Sequence, residues 1–178
     1  MEQLKVRTKE GAAVVEGWLT DMGSHPKKVS MPNANWQFEI DYPANTAHRI
    51  AVANLTSHPR ALAVGTRIAV SQEHIDAFGL WENEDKQSFL DDLQSTLNRE
   101  FVEFQFEGLG TGLSCPTAFT ITAIRYEDGL SLDSLMRTVS SVYKAELAGI
   151  LCVQQKLGRR DFPGGGGGDI QFRMPRLQ

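Results

Sequence analysis

Cysteine is scarce in this chain, and so are most of the residue patterns that announce a chemical site. Among 178 residues only Cys115 and Cys152 occur. They lie far apart with no CxxC spacing, which excludes a disulfide framework or a zinc ribbon and predicts free thiols in a reducing compartment. The four histidines, His25, His48, His58 and His74, are scattered, and none has a second ligand at i+2 or i+4, so no metal is expected. No apolar run approaches the roughly 20 residues a bilayer-spanning helix needs. The N-terminal Met1-Glu2-Gln3-Leu4-Lys5-Val6-Arg7 lacks the apolar stretch and small-residue cleavage site of a secretory signal, which makes the cytoplasm the expected compartment. A basic excess is missing too: 18 Lys and Arg face 22 Asp and Glu, for a formal charge of −4. Such a chain repels polyanions, so neither nucleic acid nor a membrane is an expected partner. No repeat of 20 to 50 residues is visible, which removes solenoids and propellers.

What remains is an ordinary globular composition, 41% hydrophobic and 22% charged, in a chain long enough for one domain that buries about 70% of its unfolded surface. From Lys9 to Met22, Val14, Val15, Trp18, Leu19 and Met22 recur at helical spacing, and Gly23 and Pro26 close the segment. Trp36, Phe38 and Ile40 then alternate with Gln37, Glu39 and Asp41, the period of a strand. A second strand is predicted over His48 to Leu55, and a third through Leu62, Val64, Ile68 and Val70, with turn chemistry between them. Ser71 fits a helix N-cap, and Phe89, Leu90, Leu93 and Leu97 continue a helical stripe after Gly79, as a helix pair or one kinked helix. Val102, Phe104 and Phe106 mark a fourth strand, Phe119, Ile121 and Ala123 a fifth, and Ser131 with Asp133 opens a long helix that Gly158 ends. The order α-βββ-α-ββ-α segregates helices from strands. It predicts an α+β fold, an antiparallel sheet of about five strands with three main helices, over residues 1–158.

Beyond Gly158 the composition changes. Residues 159–168 include five consecutive glycines, Gly164 to Gly168, and read as a linker. In residues 169–178, Ile170, Phe172 and Met174 alternate with Gln171 and Arg173, a pattern able to add as an extended strand to a sheet edge until Pro175 limits it.

Candidates for chemistry are few. The segment Gly108-Leu109-Gly110-Thr111-Gly112-Leu113-Ser114-Cys115 has a GxGxG spacing, but it connects two strands and carries no lysine at the P-loop position. Cys115 has no base identified by sequence. Glu82, Glu84, Asp85, Asp91 and Asp92 fall on the polar side of a helix, where acidic residues keep a face solvated. Trp36, Phe38, Phe78 and Trp81 fit either a core or a protein-binding patch, and their regular spacing favours the core. No catalytic residue and no cofactor are expected.

Asp128-Gly129-Leu130 leading into Leu135-Met136-Arg137-Thr138-Val139 and Val142-Tyr143-Lys144-Ala145-Glu146, together with the element order, resembles the type III secretion chaperone-like fold, which YbjN-like proteins share. The likeness covers about residues 8 to 158 and supplies no catalytic residue. It implies a compact helix-and-sheet domain, frequent homodimerisation and a role in holding another protein's extended segment.

The expectation is therefore a non-enzymatic, chaperone-like adaptor whose partner is another protein. Ile170, Phe172, Arg173 and Met174 of the tail are its candidate contacts, with Trp36, Phe38 and Trp81 of the domain beside them. A small-molecule binding protein or enzyme using the Gly108 to Cys115 loop, and a structural subunit of a larger complex, are the alternatives.

Overall fold

The computed structural model describes residues 5–98, 101–110 and 113–158. Helix α1 (Lys9–Asp21) starts where the Thr8 side chain accepts a hydrogen bond from the Gly11 N–H at 3.0 Å. Then come β1 (Lys27–Val29), β2 (Ala34–Asp41), β3 (Arg49–Leu55), β4 (Ala61–Ala69), α2 (Gln72–Gly79), α3 (Asn83–Leu97), β5 (Glu103–Glu107), β6 (Ala118–Tyr126) and α4 (Leu132–Leu157). All the strand pairs are antiparallel, in the spatial order β1-β2-β3-β4-β6-β5.

The described residues thus form an α+β fold with six strands and four helices, where the sequence pattern indicated about five and three. The additional strand, Lys27-Lys28-Val29, pairs with Glu39, Phe38 and Gln37, and three residues are too short to show a period. The additional helix arises because the stretch from Gly79 to Glu82 breaks one stripe into two: Leu80 caps α2, and α3 begins after Glu82 in extended conformation.

The expected meander is present as β2-β3-β4. The chain then leaves the sheet for α2 and α3 and returns with β5 outermost, so that β6, not β5, lies against β4. Composition accounts for this order. Ala118 to Ala123 of β6 are buried on both faces, whereas Glu103 and Gln105 of β5 face solvent as edge-strand residues do.

All four helices put their buried apolar side chains into one cluster. Val15 and Leu19 of α1, Phe78 of α2, Phe89, Leu93 and Leu97 of α3, and Leu135, Val139, Val142 and Val153 of α4 meet one face of the sheet there. That face presents Phe38, Ile40, Ile50, Val52, Leu62, Val64, Phe119 and Ile121. Each such fully buried side chain contributes about 1.5–3 kcal/mol. The other sheet face holds a separate cluster of small residues, Ala51, Ala53 and Ala63 with Leu55, against which Met31, Ala34 and Ile124 pack. No described helix contributes to it.

Two polar side chains fix how these parts meet. Asn54 is fully buried, and its Nδ2 donates to the carbonyls of Ala61 at 2.7 Å, Pro59 at 3.2 Å and His58 at 3.4 Å, while its Oδ1 accepts from Asn35 Nδ2 at 2.7 Å. It thereby shapes the β3-β4 turn. The α4 N-terminus carries a capping box in which Ser131 and Ser134 each accept the other's backbone N–H.

Candidate functional site

With β1 at the opposite end, β5 is one of the two edge strands of the sheet. Among the described residues it pairs on one side only, with β6, which leaves the main-chain groups of its other side as an open edge. Phe104 and Phe106 point toward the helical layer and are half-buried, with ring centroids 5.4 Å apart. Glu103, Gln105 and Glu107 point the other way. Exposed apolar side chains stand at both ends of the strand: Phe101, 91% exposed, precedes it, and Leu109 and Leu113 follow it.

One end of β5 is rigidly held. Arg67 of β4 reaches across β6 and makes a forked pair with Glu107, Nη2 to Oε2 at 2.9 Å and Nε to Oε1 at 3.1 Å, and Thr120 Oγ1 donates to Glu107 Oε1 at 3.0 Å. Such a two-point guanidinium contact is directional and fixes the strand's position.

The glycine loop departs from β5 without phosphate-binding geometry. Gly108 adopts a φ of +74°, its Cα faces Thr117, and the Thr117 N–H returns to the Glu107 carbonyl at 2.9 Å. The Gly110 N–H donates to Ser114 Oγ at 2.9 Å. No helix starts in the described part of this loop, so no helix N-terminus converges with these amides. Burial pushes the Cys115 thiol up to about 11, which leaves little thiolate at neutral pH. Burial also raises Cys152, partly offset by a hydrogen bond with Thr96.

Two histidine contacts were not legible from spacing. His48 at the start of β3 places Nδ1 3.1 Å from Oε1 of Glu146 on α4, and Tyr143 packs edge-on to the imidazole with centroids 5.3 Å apart. Tyr42 stacks edge-on to Tyr143 in turn. Glu146 is 6% exposed and its Oε2 has no hydrogen-bond partner among the described residues. Burial therefore pushes its carboxyl above the usual carboxylate range, and the His48 hydrogen bond pulls it partly back. The pair braces the β2-β3 hairpin against α4.

His74, fully buried, has Nδ1 2.8 Å from Ser71 Oγ and Nε2 3.1 Å from the Gly158 carbonyl. A carbonyl only accepts, so Nε2 donates to the Gly158 carbonyl. The arrangement has the order of a hydroxyl activated by an imidazole. Its burial and its carbonyl partner make it a clamp that ties the end of α4 to the β4-α2 junction.

Of the residues singled out in the sequence, Trp36 and Phe38 lie in the core at 6% and 1% exposure, and Trp36 Nε1 donates to the Val6 carbonyl at 2.7 Å. Trp81 is partly buried against Phe78 and Phe89. These three do not form one surface patch. Ile170, Phe172, Arg173 and Met174, with the linker 159–168, lie outside the described residues. Among the described residues no group of three or more His, Cys, Asp or Glu could hold a metal ion, and no helix is long and apolar enough to cross a membrane.

The comparisons with known proteins bear on the same region. A family profile described as "Uncharacterized conserved protein (DUF2299)" matches residues 13–153, well over half of the chain. The chain belongs to the DUF2299 family. The match runs from within α1 to within α4 and so takes in the whole sheet, including β5. A solved structure, an uncharacterised protein from Methanothermobacter thermautotrophicus, is similar with a TM-score of 0.74 and 24% identity, over 82% of this chain and 98% of that one. At that identity the likeness speaks for the fold alone. No curated protein matches significantly.

Proposed function

We propose that this DUF2299 protein is a non-enzymatic, chaperone-like adaptor of the cytoplasm that holds an extended segment of another protein along β5. The observation that carries the reading is the open β5 edge with half-buried Phe104 and Phe106 and with the exposed Phe101 beside it. A partner strand added there gains main-chain hydrogen bonds for affinity, while its alternate side chains extend the apolar row of Phe104 and Phe106 for selectivity. The resemblance to type III secretion chaperone-like proteins agrees with this use of the fold.

Affinity capture from native extract tests the proposal, with the full chain and a Phe101→Asp, Leu109→Asp double variant compared. Both positions are exposed, so the variant keeps the core intact. A stoichiometric partner taken by the wild type and reduced at least tenfold with the variant supports the adaptor. Equal capture by both, or none by either, counts against it.

A further inference from the structure

Strand β6 runs on past the point where β5 begins. Pairing between the two stops at Glu103 with Thr122, so among the described residues Ala123 to Tyr126 have a strand neighbour only on the β4 side. On that side the Glu127 N–H donates to the Arg60 carbonyl at 2.9 Å. Main-chain groups alternate in direction along a strand, so those of Ile124 and Tyr126 point the other way, to the open side. There the end of β6 and the first turns of α4 border a cavity of about 320 Å³, lined in part by Ile124, Arg125, Tyr126, Asp128, Ser134 and Arg137. Small-molecule sites begin at roughly 300 Å³. The cavity lies at the end of β6 away from the glycine loop.

Arg125 is the half-buried cation of this lining. Its Nε donates to Thr138 Oγ1 at 2.7 Å, and that hydroxyl, fully buried, donates in turn to the Ser134 carbonyl at 2.7 Å. The guanidinium is thereby held in one orientation from α4. Among the described residues no carboxylate pairs with it, and its Nη1 and Nη2 groups make no hydrogen bond. A half-buried charge without a counter-charge is costly, and the fork of a guanidinium matches two oxygens of a carboxylate or phosphate. Of the acidic neighbours, Asp133 is committed to Arg137 Nε at 2.9 Å and Glu127 to Arg60 Nε at 2.6 Å. We infer that this cavity binds the oxyanion of a small molecule, a carboxylate or phosphate group, with Arg125 and Arg137 supplying the charge and the Ile124 and Tyr126 N–H groups the main-chain donors. Asp128, the remaining acidic residue of the lining, then favours ligands that carry a hydroxyl or amine beside the anion. The site is separate from the β5 edge and does not rest on the adaptor reading.

NMR titration of the full chain with sodium phosphate and, separately, with sodium acetate, both at constant ionic strength, tests the assignment through the amide shifts. The expected result is saturable binding of at least one ion in the millimolar range, with the largest shifts at Ile124, Tyr126 and Gly129. Saturation by phosphate alone assigns a phosphate group to the ligand, and saturation by acetate alone a carboxylate. Arg125→Lys keeps the charge but loses the fork, and it should weaken the binding about tenfold. Arg137→Gln changes a residue whose side chain is 77% exposed, so it leaves the fold intact, and it should weaken the binding about fivefold. Where Arg125→Lys disturbs the packing on Thr138, the Arg137→Gln result decides. Shifts that rise linearly with both ions, saturation confined to residues outside the cavity, or binding that Arg137→Gln leaves unchanged overturns the proposal.

Discussion

The ring of Phe119 on β6 fills the space where a side chain at position 149 of α4 would begin: a β-carbon built on Gly149 would stand 2.7 Å from Phe119 Cε2 and 2.9 Å from Cζ. The long helix therefore lies directly on β6, and glycine is the residue that permits it. Leu97 Cδ2 of α3 lies 3.4 Å from the same point, so the contact joins three elements.

Gly149→Ala should cost about 1–3 kcal/mol despite alanine's better helix propensity, because the ring cannot retreat into a packed core. Urea unfolding checks this. A Phe119→Leu background should recover part of the loss, since the two positions share one space.

How far the fold was legible follows from cases like this one. The periods of β2, β4, β6 and α4 appear directly in Trp36-Phe38-Ile40, Leu62-Val64, Phe119-Ile121 and Leu135-Val139-Val142, because each element buries one face and its pattern says so. Gly149 carries no local signal, since its role depends on a ring 30 positions earlier in the chain. The same applies to His48 and Glu146, which are 98 positions apart. The β6-β5 strand exchange is a packing outcome, so the edge position of β5 showed in sequence only as the alternation of Glu103, Gln105 and Glu107. The tail's alternation of Ile170, Phe172 and Met174 is legible in the sequence, and it lies outside the described residues.

Asn54→Asp should destabilise the domain more than Asn54→Ala at neutral pH. Alanine leaves three carbonyl contacts and Asn35 without their partner, at about 2–4 kcal/mol. Aspartate keeps the size but turns a carboxylate oxygen toward those carbonyls. Equal losses in urea titrations would mean that the Nδ2 contacts do not organise the β3-β4 turn.

Glu146→Gln should change the pH dependence of stability. A carboxyl whose pKa is raised on folding contributes fully below its unfolded value, and that contribution is lost as pH rises through the folded value. The wild type should therefore weaken relative to the glutamine variant as pH climbs from about 4.5. Unfolding free energies measured from pH 4 to pH 8 give the comparison. A difference that stays flat or moves the other way would contradict the burial of this carboxyl.

Cys115 should resist alkylation. With a thiol near 11, about one molecule in a thousand carries the thiolate at pH 8. Iodoacetamide should label this position in the native protein at least 100-fold more slowly than in urea, read by peptide mass. Comparable rates would revive the loop as a reactive site.

The central claim is that β5 receives another protein's segment, and a photo-reactive benzoyl-phenylalanine at Gln105 of the full chain tests it most directly. Gln105 is exposed on β5, and Lys144, exposed on α4, serves as the matched control position. Irradiation in native extract should attach a partner protein through position 105 and leave position 144 unreacted. Attachment through 144 alone, or through neither position, would contradict the account.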